Sequence, residues 1–153
     1  MADELAQLHD ELQEVVPADT QEIYSDAVID HAMNPRNVGD IDNADGYGSA
    51  VGICGDDMEI WLRVSNGIII EARFWTSGCS TTIASGSMIT EMAKGKAIGQ
   101  AQKISQQDIL TALDGLPVES EHCAHLVANS LKAAISNYLE LQGDPWKKAY
   151  RNK

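Results

Sequence analysis

Three cysteines, Cys54, Cys79 and Cys123, stand far apart in a chain of 153 residues, and two carboxylates follow the first of them almost at once in "GICGDDMEIW". An odd number of widely spaced thiols is not a disulfide framework. Such cysteines either pack as small apolar side chains or converge on a metal. Their settings favour convergence. Cys54 lies between Gly52 and Gly55 on the lead-in to an apolar strand, and Cys79 and Cys123 fall where helices are expected to begin. Free N–H groups and partial positive charge at a helix start favour thiolate over thiol, the form that binds metal and acts as a nucleophile. In near-extended backbone Cys54 and Asp56 point to one side and Asp57 to the other. Asp56 is therefore the candidate fourth ligand and Asp57 a solvated acid. His122, beside Cys123, is placed to replace or supplement Asp56. Three sulfurs with one oxygen or nitrogen suit zinc or an iron–sulfur unit far better than magnesium or calcium.

The elements that must bring these residues together can be read from the hydrophobic pattern. "MEIWLRV" and "IIIEARFWT" predict two antiparallel strands around the turn "SNG". Met58, Ile60, Leu62 and Val64 form one apolar face, and Ile68, Ile70, Ala72 and Phe74 are expected to form its continuation. With both faces on even numbers the loop needs an odd length, and Gly67 suits the left-handed third position of a three-residue loop. That register pairs Val64 with Ile68 and Glu59 with Arg73. Carried outward, it sets Asp56 opposite Thr76 and Cys54 opposite Gly78, one residue from Cys79. Trp61 and Trp75 fall on the other face, half-exposed. A further short strand is expected around Ser49–Ile53.

Helices flank the hairpin. Asp19 or Thr20 is the expected N-cap of a first helix, with Ile23, Ala27, Ile29 and Met33 on its apolar face and Asn34-Pro35 as its stop. "SGCSTTIASGSMITEMAKG" predicts a helix closing at Gly95, "SQQDILTALDG" a shorter one between Ser105 and Gly115, and "EHCAHLVANSLKAAISNYLELQG" a long amphipathic one. Strands followed by helices imply an α+β domain: a small antiparallel sheet of about three strands, helices packed on one face, and a metal site at one end. His9, His31 and His125 read as structural, and Met88 and Met92 as helix packing. A neighbouring His122–Cys123 pair is not expected to form a base–nucleophile hydrogen bond, which argues against a cysteine enzyme.

Composition bounds the partners. The formal net charge of −12 argues against nucleic acid or an anionic membrane, since phosphate binding needs clustered Lys and Arg, and it favours basic protein partners. Residues 1–18 read as an acidic extension with a helical stripe of Leu5, Leu8, Leu12, Val15 and Val16; residues 19–142 as the domain; residues 143–153 as a tail carrying Lys147, Lys148, Arg151 and Lys153. No apolar run approaches the ~20 residues that span a bilayer. The N-terminus lacks the basic and apolar regions of a secretory signal, so a cytoplasmic protein is expected.

With these residues laid out, the sequence resembles the IscU/NifU-type iron–sulfur cluster scaffold family, on its IscU-like branch. The resemblance runs from about Tyr24 to Tyr138 and rests on "YSDAVIDHAMNPRNVG", "CGDDMEIWLRV", "SGCSTTIASGSMITEMAKGK" and "GLPVESEHCAHLVANSLKAAI". It implies an assembly platform and not an enzyme. A pyridoxal-phosphate cysteine desulfurase would deliver sulfur, and a 2Fe-2S cluster would form on Cys54, Cys79 and Cys123. Asp56 or His122 would complete or regulate ligation, and the cluster would pass to acceptor apoproteins. The resemblance makes Cys123 the favoured sulfur acceptor and places Tyr24 near partner or dimer contacts, a homodimer being one state it admits. Members served by a dedicated DnaK/DnaJ-type chaperone pair carry Leu-Pro-Pro-Val-Lys before the His-Cys. Here "LPVESEHC" lacks the second proline and has Ser120 in the lysine's place, which argues against such chaperones. The competing reading is a zinc protein, structural or regulatory, using the same cysteines with Asp56 or His122.

Overall fold

A computed structural model describes residues 24–53 and 55–150. The first described helix, α1, spans Asp26–Met33 and is capped by Ser25, whose hydroxyl accepts from the Val28 amide at 3.1 Å and donates to the Leu113 carbonyl. The cap of this helix is therefore Ser25 and not Asp19 or Thr20, which lie outside the described residues, as do the stripe of residues 1–16 and Arg151 and Lys153. Three strands follow, β1 (Gly46–Val51), β2 (Asp57–Ser65) and β3 (Ile68–Thr76), in one antiparallel sheet with β2 in the centre. Then come α2 (Ser80–Ala93), a short α3 (Ile98–Ala101), α4 (Gln106–Ala112), α5 (Glu121–Gly143) and a 3-10 segment Pro145–Tyr150. The expected α+β architecture is what is found.

The hairpin differs from expectation in one instructive way. Asn66 and Gly67 both have positive φ, 52° and 75°, so the loop is a two-residue turn closed by Ser65 opposite Ile68. Parity is recovered by a bulge: Val64 pairs with Ile69 but Arg63 with Glu71, leaving Ile70 as the extra residue. The bulge turns Ile69 inward, fully buried, and Ile70 outward, 55% exposed, against the expectation of Ile68 and Ile70 on the apolar face. Beyond it Glu59 faces Trp75, not Arg73. Arg73 instead pairs with Glu71 at 2.7 Å, and Glu59 accepts from the Tyr47 hydroxyl at 2.6 Å. By the same count Asp56, not Cys54, comes opposite Gly78.

One sheet face carries the core. Met58, Ile60, Leu62, Ala72 and Phe74 pack under α2 and α5 with Ile89, Val127, Leu131 and Ile135. Burying each large aliphatic side chain contributes ~1.5–3 kcal/mol. Helix α5 lies so close to β1 that a Cβ on Gly48 would stand 2.2 Å from the Ala134 nitrogen. That contact explains the strand's true position, three residues before the apolar run that marked it in the sequence. The other face carries a small cluster of Ile41, Ala44 and Trp61 with Tyr47 against it. Trp61 is thus buried, not half-exposed, while Trp75 is 47% exposed. The segment after α5 folds back: Lys147 pairs with Glu140 at 3.0 Å, and Lys148 lies 3.9 Å from Asp45. No helix among the described residues is long and apolar enough to cross a membrane.

Candidate metal centre

Three chain segments reach the same end of the sheet. The loop before β2 supplies Asp56, the end of β3 leads through Gly78 to Cys79 at the N-cap of α2, and α5 starts with Glu121, His122 and Cys123. The loop is pinned by Gly52 N–H to the Asp56 carbonyl at 2.8 Å and Gly55 N–H to the Gly52 carbonyl at 2.9 Å. Asp57, expected to be solvated, is exposed and opens β2, its carbonyl accepting from the Thr76 hydroxyl at 2.6 Å.

What joins the candidate residues is a pair of hydroxyls. Thr81 Oγ1 lies 3.1 Å from Cys79 Sγ and 3.5 Å from Cys123 Sγ. Thr82 Oγ1 lies 3.3 Å from Cys123 Sγ, 3.8 Å from Cys79 Sγ, and donates to Asp56 Oδ2 at 3.2 Å. His122 Nε2 stands 3.8 Å from Cys123 Sγ, at the long end of a sulfur hydrogen bond, closer than the sequence spacing led us to expect. Asp56, Cys79, Cys123 and His122 are thus linked through one polar patch. Cys54 lies outside the described residues, and among the described ones no three His, Cys, Asp or Glu side chains are close enough to hold a metal ion together. Tyr24 stands elsewhere, 36% exposed at the start of the described chain.

The two thiols titrate in opposite directions. Burial pushes Cys79 up, but the Thr81 hydroxyl and the Thr82 amide, then the Thr82 hydroxyl and the Thr81 amide, outweigh it and leave its pKa lowered. Burial pushes Cys123 up as well; there the Thr82 and Thr81 hydroxyls oppose it while the Cys79 and Asp56 charges add to it, and the pKa ends raised. The expectation that both helix starts favour thiolate therefore holds for Cys79 and is overturned for Cys123. Sulfur, carboxylate and imidazole are the donor types that soft and borderline metals take, and here two sulfurs, a carboxylate and an imidazole are joined through two buried hydroxyls.

The model of the NifU-like N terminal domain matches residues 23–144. The chain belongs to that family. Among its NifU-like relatives, the iron-sulfur cluster assembly scaffold protein IscU of Escherichia coli is 48% identical over 120 residues, 75% of this chain and 93% of that protein. The iron-sulfur cluster assembly scaffold protein IscU 1 of Archaeoglobus fulgidus is 47% identical over 122 residues, 79% of this chain and 80% of its own. The crystal structure of a nitrogen-fixing NifU-like protein (N-terminal) from Brucella abortus matches with a TM-score of 0.66 at 15% identity, covering 78% of this chain and 96% of that one. At that identity it is the NifU-like fold that is shared.

Of the residues at this centre, Thr81 and Thr82 had not been assigned from the sequence. The available signal was their position: polar residues in the first helical turn after Cys79, where the carbonyl four residues back lies outside the helix.

Proposed function

We propose that this chain is a scaffold on which an iron–sulfur cluster is assembled from iron and sulfur and then handed to acceptor apoproteins. The observation that carries the reading is the gathering of Asp56, Cys79 and Cys123 from three separate segments around one buried polar patch, in a chain whose relatives are named as such scaffolds. The cluster is cargo, proposed as 2Fe-2S, held by Cys54, Cys79 and Cys123, with Asp56 or His122 as the fourth ligand. A carboxylate or imidazole among thiolates gives one weaker bond, through which the cargo can leave.

Sulfur would come from a cysteine desulfurase as persulfide. The acceptor thiolate attacks the outer sulfur, the donor cysteine leaves as thiolate, and an external donor supplies two electrons that reduce the transferred sulfur to sulfide. The resemblance makes Cys123 the acceptor. Cys123 is buried and Cys79 exposed, so Cys79 is the thiol a partner meets first. Tyr24 is the proposed partner contact.

The test is anaerobic reconstitution with iron, cysteine and a desulfurase, with iron, zinc and acid-labile sulfide measured on one sample. Equal iron and sulfide, about two of each per cluster, are expected. They should be lost in Cys54→Ser, Cys79→Ser and Cys123→Ser. Zinc retained with no sulfide under these conditions would replace the scaffold with a zinc protein on the same residues.

A further inference from the structure

Thr81 and Thr82 are 4% and 0% exposed. A buried threonine in a helix ordinarily returns its hydroxyl to a carbonyl one turn back, and helix α2 shows this twice: Ser85 donates to the Thr81 carbonyl at 2.7 Å, and Thr90 to the Gly86 carbonyl at 2.9 Å. Thr81 and Thr82 sit in the first turn, where the carbonyls four residues back, of Ser77 and Gly78, lie outside the helix, and both hydroxyls lie against the sulfurs and, for Thr82, Asp56. The backbone makes room for this. A Cβ at residue 78 would stand 2.7 Å from Thr82 Cβ and 2.8 Å from its Oγ1, so the glycine before Cys79 is what lets Thr82 lie where it does.

Thr82 donates to Asp56 Oδ2 and also stands 3.3 Å from Cys123 Sγ, so one hydroxyl touches both groups. Thr81 lies nearer to Cys79, 3.1 Å from its sulfur. The chain of bonds runs from Cys123 through Thr82 to Asp56. It joins groups from α5, α2 and the loop before β2.

We infer that Thr82 is a positioning residue that sets Asp56 and Cys123 in place for metal binding, with Thr81 doing the same for Cys79. The inference rests on the proposed site. Groups that hydrogen-bond a ligand's second atom typically carry ~10–100-fold of metal affinity. Cobalt(II) alone is the probe, titrated into the reduced, metal-free full chain and followed by its thiolate charge-transfer and d–d bands. Thr82→Val, which keeps the shape and removes the hydroxyl, is expected to weaken cobalt binding about tenfold and shift the d–d bands, and Thr82→Ser to restore both. In an Asp56→Ala background, Thr82→Val should cost clearly less than in the parent, because one of the two groups it orients is gone and only Cys123 remains. A thermal melt of each variant separates this from loss of fold. Full additivity of the two substitutions, or Thr82→Ser behaving like Thr82→Val, overturns the inference. The reconstitution experiment on the unaltered chain decides the scaffold reading separately, since cobalt affinity is read without any cluster.

Discussion

Two helices of this protein begin with a cysteine, and the two cysteines differ in almost everything else. Cys79 is the N-cap of α2, exposed, beside two amides and two hydroxyls that favour its ionised form. Cys123 is the third residue of α5, 1% exposed, with burial the leading influence and the charges of Cys79 and Asp56 against it. A helix start offers partial positive charge worth ~0.3–1 kcal/mol at the surface. That is too little to offset the removal of a thiolate from water. Position at a helix start thus nominates a reactive cysteine, and depth decides whether it is one. The pairing leaves one thiol at the surface and the other inside the fold.

The widest expected gap is in reactivity. In metal-free protein at pH 7.5, iodoacetamide should modify Cys79 about 100-fold faster than Cys123, as mapped by peptide mass spectrometry. In urea the two rates should fall within about threefold of each other, since the contrast is a property of the fold. Equal rates in the native protein would remove it. Next in size is Gly78→Ala, which presses a methyl against Thr82 and disturbs the start of α2 while leaving that of α5 intact. A loss of about 1–3 kcal/mol in urea denaturation is expected, together with slower modification of Cys79. A variant as stable as the parent would mean that Thr82 has other places to go.

How far the sequence could be read follows the same division between local pattern and depth. The strand and helix periods located β2, β3, α2, α4 and α5 closely, because each alternates or repeats over many residues. β1 was misplaced because its inward positions are Gly46 and Gly48, chosen for the close approach of α5, and glycine carries no hydrophobic signal. The bulge at Ile70 was invisible because three consecutive isoleucines offer no parity to choose by. At the site, residue types and helix starts picked out Asp56, Cys79, Cys123 and His122. The threonines between them escaped notice because a hydroxyl gains meaning only from what surrounds it.

Smaller effects sharpen the comparison further. Thr81 is the first hydroxyl lowering Cys79, whereas Thr82 is the first lowering Cys123. In metal-free protein Thr81→Val should therefore move the pH midpoint of Cys79 alkylation upward and slow it about threefold at pH 7.5, with a lesser change at Cys123. A larger change at Cys123 than at Cys79 would reverse the assignment of the two hydroxyls.

The least effect concerns a group away from the site that obeys the same rule. His31 is buried between α1 and α2, with Nδ1 2.7 Å from Ser87 Oγ, and that oxygen also accepts from the Arg36 amide at 2.9 Å. The Ser87 proton is thus free to point at Nδ1, which is the neutral ring's acceptor. Burial lowers the His31 pKa below 6.5, and the Arg36 charge adds to this, while Asp30 and Glu91 oppose it. Above pH 6.5 the ring is neutral in both folded and unfolded chains, and its contribution to stability is complete. As pH falls through that value the unfolded chain takes up a proton that the folded one resists, so stability declines until the folded ring titrates at its lower pKa. Urea midpoints should therefore drop more between pH 7.5 and 5.5 in the parent than in His31→Gln, which cannot take up that proton. If the parent's midpoint instead rises relative to the variant as the solution is acidified, the buried ring is stabilised as a cation, and Asp30 and Glu91 outweigh the cost of burying it.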